Sequence, residues 1–346
     1  MVKKWPLCFL LFSIIFSVAR SQAPLRDHDS TYYVTYRDRV TVRAYLSRKY
    51  TVLRFAPPGP FPKFNYSPNT TLNVGIGATY HALTLNIGIG VNRFNPKEIR
   101  GKTRYLDLQC HFYARDWNVD ILGEFYKGYY LTPKGYAAPP GEDYYKRPDL
   151  ELNVIGIAFY KSLNERRFSY QAGLLQNEWQ KKSSGAILLG GEIYYGAIRG
   201  DSVLVPYNLD SNYYKENINR LHFFEIGPGL GYGYTLVYRE HFFVLGSVTF
   251  NLAFRYSRER SESSGKYGDR IDFTPNDIFH LGAGYNTDTW CLSALWVNTR
   301  LNAKGGVSDY RYGITAGNYR LIYAKRFRIN RKVRKMLQPI PAIIGQ

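Results

Sequence analysis

The sequence predicts an all-β protein, a closed antiparallel barrel of about fourteen strands with twelve as the fallback, on three observations. Apolar and polar residues alternate strictly over long segments, the segments run to about ten residues, and their connections divide into tight turns and longer polar loops. Composition agrees. The chain has 346 residues, 45% apolar and 16% aromatic, with 32 Tyr, 31 Gly and only 2 Met, a balance of strand and turn formers over helix formers. It is too apolar for a disordered polymer. Beyond the extreme N-terminus it lacks the uninterrupted apolar run of about 18 residues that a membrane-crossing helix needs.

Lys3 and Lys4 precede the apolar stretch Leu7 to Val18, and Ala19-Arg20-Ser21 supplies small residues for cleavage, so residues 1–21 read as a signal peptide. Cys8 leaves with it and stands before most of the apolar run, the wrong place for a lipid-anchored cysteine. Residues 22–56 are an N-terminal segment that is either a first strand or a plug, since Val40, Val42, Ala44 and Leu46 alternate. The barrel proper is assigned to 57–328 and a basic periplasmic tail to 329–346.

In the first clear ribbon Leu72, Val74, Ile76, Ala78 and Tyr80 share one face, and Asn73, Gly75, Gly77, Thr79 and His81 the other. After a tight turn Leu83, Leu85, Ile87, Ile89 and Val91 oppose Thr84, Asn86, Gly88 and Gly90, which completes a hairpin. Leu106, Leu108, Cys110 and Phe112 then face away from Asp107, Gln109, His111 and Tyr113; Val119, Ile121 and Phe125 face away from Asp120, Glu124 and Tyr126. Phe242, Val244, Gly246, Val248, Phe250, Leu252 and Phe254 alternate with Ser247, Thr249, Asn251 and Arg255. Such ribbons are about twice the usual length of a soluble strand and match the roughly 9 to 11 tilted residues that cross hydrocarbon. Leu72, Val74, Ile76, Leu85, Ile87, Ile89, Phe242, Val244, Val248, Phe250 and Leu252 are therefore expected to face lipid. Asn73, Asn86, Asp107, Gln109, His111, Asp120, Glu124, Tyr126 and Arg255 are expected to face the lumen.

Tight links fall near His81-Ala82, Arg115-Asp116, Ser162 to Arg166, Tyr238 to Glu240 and Asn286 to Thr289. Longer ones span Asn95 to Lys102, Thr132 to Pro148, Asn177 to Ser184, Asp210 to Asn219, Ser257 to Asp269 and Leu301 to Tyr310. Short periplasmic turns and longer outer loops are the outer-membrane pattern. The count reaches fourteen, with both chain ends periplasmic, if Ser202 to Asn208 is a strand and another precedes Pro57; it falls to twelve if Thr31 to Phe55 is outside the wall. Trp117, Tyr129, Tyr130, Trp290, Trp296, Tyr319 and Tyr323 are expected near strand ends, at the water–lipid boundary.

Ser67-Pro68-Asn69, Gln180-Lys181-Lys182-Ser183-Ser184-Gly185 and Asp201-Ser202-Val203-Leu204-Val205-Pro206 give the chain a resemblance to an uncharacterised outer-membrane β-barrel family of the Bacteroidota, domain of unknown function 4421. The resemblance implies location and fold and carries over no catalytic or ligand residue.

The glycines at 75/77, 88/90 and 227 to 233 recur every second residue, and Tyr80 and Tyr232 occupy the positions where a dinucleotide fingerprint needs glycine. They read as inner-wall positions that leave room for large neighbours. Asp107, Asp120 and Glu124 read as lumen carboxylates that balance arginines, ahead of acid–base catalysts. The six histidines lack metal-site spacing, two cysteines remain after cleavage, and no metal or cofactor is expected.

The charge of +19 loses three basic residues with the signal and reads equally as a contact for lipid headgroups or acidic glycans, nearer partners than nucleic acid once the chain is exported, and as a solubilising excess with no partner. The expected function is a non-enzymatic, porin-like outer-membrane barrel: a narrow pore or a transport, assembly or structural protein. Its expected partners are outer-membrane lipid, lipopolysaccharide, the barrel assembly machinery and an unidentified envelope protein. A barrel enzyme acting on outer-membrane lipid or lipopolysaccharide is the alternative, and a secreted glycan-binding β protein the second.

Overall fold

The computed structural model describes residues 28–36, 38–56, 63–81, 83–91, 98–206, 209 and 217–330; the expected signal peptide and residues 331–346 of the tail lie outside the described residues. The strands are β1 (Tyr33–Thr35), β2 (Arg39–Ala56), β3 (Phe64–Ser67), β4 (Asn73–Tyr80), β5 (Leu83–Gly90), β6 (Arg104–Tyr113), β7 (Trp117–Thr132) and β8 (Lys146–Ser162). After the one-turn helix α1 (Tyr170–Leu174) come β9 (Glu178–Gln180), β10 (Ser184–Arg199), β11 (Ile218–Tyr238), β12 (Phe242–Ser261), β13 (Tyr267–Asn286), β14 (Trp290–Lys304) and β15 (Arg311–Arg328). All but β1 and β9 belong to one 13-stranded antiparallel sheet.

That sheet closes on itself. β15 pairs with β2 along its full length, from Arg39 opposite Arg328 to Ala56 opposite Arg311, so the last strand supplies the edge that the first requires. Near the long loops the ring is completed by β3, which bridges Leu53–Phe55 of β2 and Tyr130–Thr132 of β7. Toward the tight turns β2 and β7 diverge. There β2 pairs with β4, which carries β5, while β7 pairs with β6. Among the described residues no ladder joins β5 to β6, so the wall has a gap on that side. Its upper end is tied shut: the Asn69 backbone N–H donates to Thr103 Oγ1 at 2.8 Å, Asn69 Nδ2 donates to the Gly101 carbonyl at 2.7 Å, and the Thr71 and Tyr105 hydroxyls lie 2.9 Å apart. Gly128 makes the divergence feasible. It sits at the bulge where β7 leaves β6 for β3, with φ +91°, and a Cβ there would collide with the Lys102 carbonyl oxygen.

The tight-turn end is capped from within. Residues 163–183, between β8 and β10, fold across the mouth as α1 and β9, and β9 pairs with β1. Phe168, Tyr170, Leu174 and Leu175 are buried in the core. The Ser169 Oγ accepts from the Ala172 N–H at 3.0 Å, which starts the helix. Two lumen arginines satisfy carbonyls at its far end: Arg43 Nη2 donates to Leu175 O at 2.8 Å, and Arg326 Nη2 to Gln176 O at 2.6 Å. At the tight-turn rim, Arg39 Nη1 donates to Oδ2 of Asp288 in the β13–β14 turn at 2.9 Å, and this bond holds the Asp288 carboxyl below the usual carboxylate range.

Several expectations change here. Of the described part of 22–56, Tyr33–Thr35 pairs with β9 in the cap and Arg39–Ala56 is a full wall strand, so the condition for twelve strands does not hold. The count of about fourteen lies close to the thirteen of the main sheet, with different members. Ser202 to Asn208 is not a strand among its described residues. Val203, Leu204 and Val205 are all buried, a run without alternation, and Tyr66 Oη and Arg147 Nη1 donate to the carbonyls of Leu204 and Val203 at 2.8 and 2.7 Å. The stretch between the expected links at Ser162–Arg166 and Asn177–Ser184 is helix and cap, not wall. Both described chain ends lie at the tight-turn end, where Ile329 N donates to Asp38 O at 3.1 Å. Trp117 and Trp290 start their strands, but Trp296 and Tyr319 pair with each other in mid-strand, where the indole N–H reaches Tyr50 Oη at 2.8 Å.

Inward glycines make room for aromatic rings. A Cβ on Gly156 would intrude on the Tyr194 ring and the Ile193 carbonyl, and one on Gly75 on the Tyr45 ring. Gly156→Val should destabilise the folded barrel by about 1–3 kcal/mol through overpacking, read as a lower urea midpoint of the heat-modifiable gel band; an unchanged midpoint would show that the ring moves freely.

Candidate functional site in the lumen and wall

Alternation sends charged and polar side chains inward, where each needs a partner. In the long-loop half the partners are mutual. Arg255 Nε donates to Glu225 Oε2 at 2.7 Å, and Asn276 Nδ2 donates to Glu225 Oε1 and Glu192 Oε1 at 2.8 and 2.6 Å. Arg255 and Glu225 are both fully buried. Glu259 accepts from the backbone N–H groups of Val307 and Ser308 at 2.8 and 2.9 Å, which pins the β14–β15 loop inward. Glu124 accepts from Thr51 Oγ1 at 2.9 Å.

The tight-turn half is different. Arg43, Arg320 and Arg326 point inward from β2 and β15, and no ion pair to a carboxylate joins them among the described residues. Behind the β5–β6 gap lies a cavity of about 550 Å³. It is lined by both faces of β5 (Thr84 to Gly88) and both faces of β6 (Tyr105 to Leu108, Cys110, His111, Tyr113), and by Lys49, Leu175, Leu295, Val297 and Arg320 deeper in. A cavity that touches both faces of two strand edges passes between them, so it is a slot through the wall.

Polar groups lining the slot (Lys49, Asp107, His111 and Tyr113) belong to two clusters that extend beyond it. Lys49 forms an ion pair with Asp107, whose Oδ2 accepts from Tyr126 Oη at 3.0 Å. His111 Nδ1 lies 2.6 Å from Asp120 Oδ1, which also accepts from Tyr113 Oη at 2.7 Å, and His280 Nε2 lies 3.6 Å from Asp120 Oδ2. The second cluster could relay a proton. Neither of its histidines hydrogen-bonds a Ser, Thr or Cys among the described residues, so the cluster lacks the nucleophile of a hydrolase dyad. No group of three His, Cys, Asp or Glu arranged to hold a metal occurs among the described residues, and Cys110 and Cys291 are free thiols.

Of the lumen candidates, Asp107, His111, Asp120, Glu124 and Tyr126 come together on β6 and β7, with Asp107 opposite Glu124 and His111 opposite Asp120. Arg255 lies apart in the other half. Asn73 is half-buried, with Nδ2 3.5 Å from Ser47 O, and the Gln109 side chain lies outside the described residues. Asn86 is exposed, because β5 lacks a second neighbour, but it lies on the Gly77 face of the hairpin and lines the slot. Of the lipid candidates, Val74, Ile76, Leu85, Ile87, Ile89, Phe242, Val244, Phe250 and Leu252 are exposed on the outer face, Val248 is half-buried, and Leu72 is half-buried just ahead of β4. The sequence reading missed Arg43, Glu192, Glu225, Glu259, Asn276, His280, Arg320 and Arg326. Arg320 shows that parity could have found them, since it alternates with the exposed Tyr319, Leu321 and Tyr323.

The family whose profile matches residues 27–329 is described as a domain of unknown function (DUF4421). The chain belongs to that family. No curated protein matches it in sequence. Among solved structures it is similar to the outer membrane protease OmpT from Escherichia coli, at 10% identity and TM-score 0.38, over 86% of this chain and 98% of that one. It is also similar to the translocator domain of the autotransporter NalP from Neisseria meningitidis, at 10% identity and TM-score 0.33, over 93% and 95%. A third is the outer membrane protein OprG from Pseudomonas aeruginosa, at 9% identity and TM-score 0.25, over 84% and 97%. These neighbours are outer-membrane β-barrels of differing roles, and none of the likenesses bears on this chain's activity.

The buried charge network carries its own test. Arg255→Leu should destabilise the barrel by about 3–5 kcal/mol, because it strands the Glu225 carboxylate, while adding Glu225→Leu should restore much of the loss; denaturant midpoints of the single and double variants read this, and equal losses would contradict it.

Proposed function

We propose that the chain is an outer-membrane β-barrel of a Gram-negative cell, exported by the cleavable signal at 1–21 and inserted by the barrel assembly machinery. It acts without catalysis, as a plugged transport or assembly barrel in contact with outer-membrane lipid and lipopolysaccharide. The observation that carries this reading is inverted burial: Ile76, Ile89 and Phe250 are 66%, 71% and 62% exposed while Arg255 and Glu225 are 0% exposed. A soluble protein buries the first kind of residue and solvates the second. Hydrocarbon outside the wall reverses the preference. The cap at one end, the tucked Val203–Val205 segment at the other and the buried pairs between them favour a filled lumen over an open pore.

A second reading, an enzyme acting on outer-membrane lipid or lipopolysaccharide, draws support from His111 and Asp120 beside the slot. Loss of lipid acyl chains on expression, abolished by His111→Ala, would favour it.

The detergent-extracted protein should migrate anomalously in gels when unboiled and shift on boiling. In planar bilayers it should give no porin-like conductance steps. Identical migration with and without boiling would overturn the membrane assignment, and large stepwise conductance would overturn the filled lumen.

A further inference from the structure

The slot between β5 and β6 combines a breach in an apolar wall with an arginine behind it that no counter-charge contacts directly. Unpaired strand edges are costly in hydrocarbon, so the slot needs an occupant. Its rim is apolar: Leu85, Ile87, Leu106 and Leu108 are all exposed on the two edges. Its interior is cationic. Lys49 is matched by Asp107, but Arg320 has no hydrogen-bond or ion-pair partner among the described residues. The Arg320 guanidinium lies 5.3 Å over the Tyr45 ring, and its buried Nε is unpartnered. Arg43, close enough for the two charges to act on each other, also keeps Nε and Nη1 unpartnered. A guanidinium with a buried, unpartnered N–H is completed by an anion.

We propose that the slot binds a single-chain anionic amphiphile from the surrounding bilayer. The carboxylate or phosphate head sits against Arg320, and the acyl chain lies between Leu85 and Ile87 on one edge and Leu106 and Leu108 on the other. The occupant seals the gap with its chain and neutralises the arginine with its head. A cavity of about 550 Å³ falls in the usual roughly 300–1,000 Å³ range of small-molecule sites, too small for a whole multi-chain lipopolysaccharide. The proposal deepens the outer-membrane reading and rests on it.

The test uses the mature barrel in nanodiscs of neutral phosphatidylcholine, with the fluorescent polyene fatty acid cis-parinaric acid as probe. Lysophosphatidic acid is the phosphate competitor, and the alcohol analogue of the probe the uncharged control. The acid should bind at least ~10-fold more tightly than the alcohol, and Arg320→Gln should bring the acid to the alcohol's level, a charge-assisted contact being about that strong. Competition by lysophosphatidic acid at lower concentration than by fatty acid identifies a lipid phosphate as the natural head; the reverse order identifies a free carboxylate. Cys110, exposed at the rim, should be alkylated more slowly when the acid is bound, whereas Cys291 is buried and silent. That readout needs no variant, so a misfolded Arg320→Gln leaves the proposal falsifiable. Equal affinity for acid and alcohol, no protection of Cys110, or a co-purifying polypeptide crosslinked through Cys110 would each overturn the proposal. Heat-modifiable migration of the same sample separates these failures from failure of the membrane reading.

Discussion

Closure of the backbone ladder is the constraint on which the rest depends. Every wall strand must find a partner on both sides, and the β2–β15 seam meets that requirement between the two ends of the sequence. Once the ring is shut, alternate side chains have only two destinations, and one alternation writes both the apolar exterior and the polar interior. The place where the ladder fails, between β5 and β6, is therefore the most informative in the wall. The divergence of β2 and β7 creates it, and Gly128 permits the bend.

The interior follows from the same logic, because a polar group turned inward has lost water and must be answered by protein. In the long-loop half Arg255, Glu225, Asn276 and Glu192 answer one another. At the tight-turn end the arginines are answered by main-chain carbonyls: Arg43 and Arg326 bond the residues that follow α1, so the charges that would make a cationic pore instead hold its cap in place. Arg320 is the exception, beside the cavity that passes between β5 and β6.

How much of this the sequence revealed depends on what parity can encode. The alternation in 72–91 and 242–255 disclosed strands, faces and the closed antiparallel class, because face is a local property of the chain. The cap was hidden: 163–183 has connection-like composition, and whether a connection lies over a mouth or enters it depends on Arg43 and Arg326, far off in sequence. Ser202–Asn208 misled because Val203-Leu204-Val205 is a short apolar run of a kind that strands and tucked loops share. The slot was invisible for a different reason. Leu85 and Leu108 have ordinary outward parity, and nothing local says that β3 will take the place beside β7 that a simple meander would give to β5.

Spin-label accessibility along β12 tests the central claim most directly. With nitroxides placed singly from Val248 to Ala253 in a reconstituted bilayer, labels at Phe250 and Leu252 should collide freely with dissolved oxygen and hardly at all with a water-soluble nickel chelate, while labels at Thr249 and Asn251 should be shielded from both. Strong collision of the chelate with the labels at Phe250 and Leu252 would mean that this face meets water, and the account would fail.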